Sequence, residues 1–179
     1  MNVPPDTQAR PQFPEPVFLT RMVDELDTAR GWGLGLPILK LVLLIGLPST
    51  LIGWLLGLSW PGPAGPDIFS RAAFAILGAI LMTPALETVV MRLMFHFGAR
   101  WIRSPADLNL VCALLWGYVH QQSPTWGLHA IWGFYVLGAC FLRLQARSLD
   151  RAYYVVILIH ALVNLIAYAG YLWETAARP

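Results

Sequence analysis

Glu87, His120, His160 and Asn164 each interrupt a long apolar stretch of the chain. An ionisable group at bilayer depth costs about 2.5–3.5 kcal/mol on insertion scales, so intramembrane polar groups face a bundle interior or a wet cavity and are functional candidates by default. His160 and Asn164 are four residues apart and stack on one face of a helix. An imidazole and an amide one turn apart can aim hydrogen bonds at one small object: an oxyanion, a water or a metal. Trp116 and His120 share the same spacing, which sets an indole directly below an imidazole. Glu87 and Arg92 lie about 140° apart around a helix and need not pair; Arg92 can snorkel or hold a neighbouring helix. Imidazoles exchange protons near neutral pH. One carboxylate, two imidazoles and one amide are the parts needed to activate a water and hold a tetrahedral oxyanion.

Each of these residues also has a plainer reading. A single intramembrane histidine often bonds across helices, and a single asparagine glues them, contributing roughly 0.6–2 kcal/mol. Three separate spans carrying such groups are hard to explain by packing alone. A metal held by Glu87, His120, His160 and Asn164 is the close competitor. The chain lacks a His-Glu-x-x-His pattern, however, and asparagine is an unusual zinc ligand, so no metal or other cofactor is expected. Cys112 and Cys140 fall inside apolar segments and read as small packing residues, not as nucleophiles or a disulfide. His96 and His129 fall near span ends and read as surface histidines.

The elements that must position these groups are membrane helices. The 179 residues are 57% hydrophobic and only 12% charged, about half the charge of a soluble domain. A net charge of +2 gives no reason to expect a nucleic-acid partner. Residues 1–36 read as a cytoplasmic Pro-rich tail followed by an amphipathic interfacial helix. Phe18, Leu19, Met22, Val23 and Leu26 form the apolar face of that helix, and Gly31 its stop. It is expected on the membrane surface or across the mouth of the bundle. Residues 37–179 read as one transmembrane domain, with spans near 37–58, 71–97, 106–122, 126–146 and 152–173. The tail is too long and Pro-rich for a signal peptide, so the first span reads as uncleaved.

Ser104 can cap the third span, with Pro105 at its first position and Asp107 in its first turn. The link from Gln121 to Thr125 is tight. Trp32, Trp60, Trp101, Trp126 and Trp173 lie near span ends, as an aromatic belt would. Gly53 and Gly57 permit close helix contact. Arg21, Arg30, Lys40, Arg100, Arg103, Arg143, Arg147 and Arg151 fall on one side of the spans, against Arg71 and Arg178 on the other. That bias places the N-terminus in the cytoplasm. A single lysine, Lys40, among 12 basic residues fits a GC-rich bacterial genome, hence a bacterial inner membrane. The expected fold is an all-α polytopic bundle of about five transmembrane helices plus the N-terminal amphipathic helix, with no internal repeat.

The order Glu87-x-x-x-x-Arg92, Trp116-x-x-x-His120 and His160-x-x-x-Asn164 on successive helices resembles the CPBP family of intramembrane proteases. That family includes the type II CAAX prenyl endopeptidases and bacterial relatives tied to protein sorting and bacteriocin immunity. The resemblance covers roughly residues 71–170. It implies that Glu87 is the general base for water and that His120 assists it, with Trp116 replacing the usual phenylalanine. It further implies that His160 and Asn164 hold the oxyanion or the water, and that Arg92 is structural. The chain departs from the pattern at Thr88, which stands where the family has a second glutamate. The implied activity is hydrolysis of a peptide bond in a membrane-tethered or lipidated protein, with water reaching Glu87 through a cleft between the third and fourth spans. A non-catalytic binding or immunity protein on the same scaffold, a zinc-dependent variant and a proton relay are the alternatives.

Overall fold

The computed structural model describes residues 16–55, 77–121 and 124–176. The tail prolines up to Pro14, Gly57, Trp60 and Arg71 lie outside the described residues. The described chain is an all-α bundle. Helix α1 spans Val17–Thr28, and a short 3-10 turn, Gly31–Leu34, leads into α2, Gly35–Leu55. A π-helical turn, Gly78–Met82, runs directly into α3, Thr83–Gly98. Helices α4, Pro105–Val119, α5, Pro124–Gln145, and α6, Leu149–Ala176, complete it.

Four helical segments are long and apolar enough to cross a membrane: Gly31–Pro48, Gly78–Gly98, Trp126–Gln145 and Leu149–Gly170. The third expected span is shorter than anticipated. Helix α4 has 15 residues, about 22 Å at 1.5 Å per residue, against about 30 Å of hydrocarbon. Its start follows the sequence signal, since the Ser104 hydroxyl accepts the Asp107 N–H at 3.3 Å and Pro105 opens the first turn.

The helices are apolar on both their inner and outer faces, as lipid-immersed elements are. On α2, Ile38, Leu41, Val42 and Ile45 are buried while Leu36, Leu39, Leu43, Leu47 and Leu51 are exposed. Inside, α2 packs on α5 and α6, α3 packs on α4 and α6, and α5 is wedged between α4 and α6. Phe95, Phe134, Phe141, Ile159 and Met91 belong to one continuous core. Cys112 and Cys140 are buried in it as thiols. Asn109, unremarked in the sequence, is buried too; its Nδ2 donates to the Tyr135 carbonyl of α5 at 2.9 Å.

Helix α1 buries its apolar face against the bundle. Leu19, Val23 and Leu26 recur at one-turn spacing and are fully buried against the bundle, whereas Phe18, expected on the same face, is 47% exposed. The helix packs on α2 and α5. Asp24 pairs with Arg143, Asp27 with Arg147, and Glu25 with Lys40. Arg151 donates from Nη2 to the Leu26 and Ala29 carbonyls at 2.7 and 2.8 Å, satisfying oxygens that the end of α1 leaves open. The arginines that sequence reading treats as an orientation signal therefore also clamp α1 to one end of the bundle.

Both Arg151 bonds are part-buried, and exposed ion pairs contribute little. Arg151→Met is expected to free the C-terminal end of α1 and raise its open population on the order of tenfold. The readout is faster limited trypsin cleavage after Arg30, with Arg103→Met as the unaffected control.

Candidate functional site

Glu87 projects from α3, one turn after Thr83, and the two share a helix face. His120 closes α4: its N–H bonds the Trp116 carbonyl and its ring Nδ1 lies 2.9 Å from the same oxygen. His160 and Asn164 come from the middle of α6. The structure brings all four together. Nε2 of His120 lies 3.4 Å from Oε1 of Glu87, and Nε2 of His160 lies 3.4 Å from Oε2. Asn164 lines the same cavity and donates from Nδ2 to the Ala79 carbonyl in the π-turn at 3.0 Å.

The Trp116 carbonyl can only accept, so Nδ1 of His120 carries its hydrogen and Nε2 is the atom left to face the carboxylate. A proton held between Nε2 and Oε1 makes that contact attractive. His160 approaches the other oxygen, leaving Glu87 flanked by two imidazoles across two helix interfaces. Such an arrangement can take a proton from a bound water and return it to a leaving group.

The cavity measures about 120 Å³, room for several waters. Ile45, Ala130, Leu137 and Val163 supply apolar walls, so a few polar groups converge on an otherwise apolar pocket. An aromatic stack holds the histidines. Trp116 lies flat on Phe134, 4.4 Å between centroids, and Phe134 meets His160 edge-on at 5.4 Å. Trp116 also sits 5.5 Å from the His120 ring, as their four-residue spacing implies. Phe134 escaped the sequence reading because one phenylalanine among many apolar residues carries no separate signal.

Several expectations are corrected. His129 is not a surface histidine: it lines the cavity beside Glu87, His120 and His160. Trp126, expected in the aromatic belt, lines the cavity as well, whereas Trp32, Trp101 and Trp173 are strongly exposed. Thr83 adds an unanticipated hydroxyl to the wall. Its four-residue spacing from Glu87 was the available signal, and the His129, Gly133, Leu137 stripe on α5 was another. His96 is exposed, as expected.

Thr88 is buried and turned back on its own helix, Oγ1 donating to the Pro84 carbonyl at 2.7 Å, so it does not stand in for a second carboxylate in the cavity. Arg92 makes no ion pair among the described residues, and none with Glu87. Among the described residues no group of three or more His, Cys, Asp or Glu has metal-holding geometry. No described residue of α1 lines the cavity. Helices α4 and α5, the third and fourth spans, cross closely at Gly117. A Cβ on Gly117 would lie 3.0 Å from the Gly127 carbonyl oxygen and 2.1 Å from Ile131 Cγ1. The cavity lies among α2, the π-turn, α3, the His120 end of α4, α5 and α6.

The chain matches no protein-family model, no curated protein and no solved structure.

The close crossing at Gly117 also sets where His120 falls, three residues later. Gly117→Ala is expected to force α4 and α5 apart and to destabilise the fold by about 1–3 kcal/mol. Thermal unfolding in detergent reads the loss, and displacement of the His120 ring signal in NMR spectra reads the shift at the site.

Proposed function

We propose that the protein is an intramembrane endopeptidase, hydrolysing a peptide bond of a membrane-tethered or lipidated protein or peptide. The observation that carries this reading is the Glu87 carboxylate flanked by His120 and His160, each at 3.4 Å, in the wall of a partly apolar cavity within a bundle of membrane-length helices. Glu87 takes a proton from water, and the water oxygen bonds to the substrate carbonyl carbon. His160 and the second N–H of the Asn164 amide stabilise the oxyanion. The carbon–nitrogen bond then breaks as the proton passes from the Glu87–His120 pair to the departing amine. No nucleophilic serine or cysteine takes part, and no cofactor is assigned. The resemblance to the CPBP family supports the same roles for Glu87, His120, His160 and Asn164, with Trp116 and Arg92 in support.

The arginine-rich end that carries α1 faces the cytoplasm in this reading, in a bacterial inner membrane. The cavity then lies in the outer half of the bilayer. A second reading, a non-catalytic binding or immunity protein on the same scaffold, draws on Thr88: its hydroxyl is spent on Pro84, so the cavity lacks the second carboxylate of the family pattern.

Glu87→Gln keeps the size of the side chain and removes the base. In detergent or liposomes it is expected to fold with the wild-type melting temperature and to lose cleavage of a tethered reporter peptide by about 10²–10⁴-fold. Undiminished cleavage would rule out the general-base role. Saturable peptide binding by the wild type, with no product formed, would establish the binding reading instead.

A further inference from the structure

The π-turn before Glu87 has a traceable cause. Thr83 gives its N–H to the Gly78 carbonyl, five residues back, and so withholds it from Ala79, four residues back. The next residue that could serve Ala79 is Pro84, which has no N–H. The Ala79 carbonyl is thus without a backbone donor in either the four-residue or the five-residue register. A carbonyl left unpaired inside a membrane bundle is costly. Asn164 fills it from another helix, at 3.0 Å.

Both partners of this bond sit close to the chemistry. Asn164 is one turn beyond His160 on α6, and Glu87 is three residues beyond Pro84 on α3. Apart from the Glu87–His160 contact, apolar packing between α3 and α6 is non-directional and resists separation better than it resists sliding. A one-residue slip along α6 would move His160 by about 1.5 Å and turn it by about 100°. The Asn164 bond forbids that slip. Thr88 adds a second brace, its hydroxyl on the Pro84 carbonyl, at the turn that carries Glu87.

We propose that Pro84 is a positioning residue for the site: by withholding an N–H it leaves the Ala79 carbonyl open and recruits Asn164 as a strut that locks His160 of α6 in register with Glu87 of α3. The strut stands on geometry alone; only its kinetic consequence rests on the endopeptidase reading.

The test is a double-mutant cycle of Pro84→Ala and Asn164→Leu, read by thermal unfolding in detergent, with Asn164→Ala replacing the leucine variant if that variant does not fold. In the wild-type background Asn164→Leu is expected to lower the melting temperature by about 2–4 °C. In the Pro84→Ala background the shift should largely vanish, because the backbone then has an N–H to offer Ala79 in either register. Equal shifts in both backgrounds would overturn the proposal. Where the wild type cleaves a reporter peptide, Pro84→Ala is expected to lower kcat on the order of 100-fold with little change in KM. An unchanged kcat would overturn the positioning role. If no peptide is cleaved, the endopeptidase reading fails and the stability cycle still decides the strut.

Discussion

Glu87 puts a carboxylate into the wall of a membrane bundle, where an unpaired charge is held only at a cost of several kcal/mol. Much of the local architecture can be traced to that constraint. Two imidazoles answer the carboxylate, one on each oxygen, and they arrive from different helices. Helix α4 must end at the right level for His120, and α6 must hold the right rotation for His160. Apolar packing supplies neither, because it rewards burial without fixing direction. Directional contacts do the placing: the Trp116 carbonyl on His120, the Phe134 ring between Trp116 and His160, and the Asn164 amide on Ala79.

Helix α4, with 15 residues, falls about 8 Å short of a full crossing. His120 closes it, His129 lies in the first part of α5, and both line the cavity. Between them, Gly117 and Gly127 let α4 and α5 cross closely.

The bundle was legible from composition and from runs of apolar residues, because the length of a membrane helix is set by the bilayer and not by its neighbours. Glu87, His120, His160 and Asn164 were legible for the same reason, since polarity inside lipid is conspicuous. His129 and Trp126 were misplaced because nearness to a span end was equated with nearness to water, and that equation fails when the adjoining helix is short. Helix α1 was read as amphipathic, correctly for Leu19, Val23 and Leu26. The partners of Asp24 and Asp27, Arg143 and Arg147, lie more than a hundred residues away in the chain, beyond the reach of local pattern. The π-turn left one trace, Pro84 inside an apolar run. A proline there announces a missing N–H but does not say which side chain will meet the orphaned carbonyl.

The two ends of the molecule solve the same problem by different means. At the α1 end, charges near the membrane surface pair with long arginine side chains, and Arg151 closes the carbonyls that the helix leaves open. Water is close there, so each ion pair is weak and replaceable. In the cavity a few polar groups stand among apolar walls, so an unmet carbonyl or carboxylate finds few donors there. A bond that is modest at the surface therefore becomes decisive in the cavity. The directional bonds around Glu87 fix more of the local placement than the ion pairs at the α1 end do.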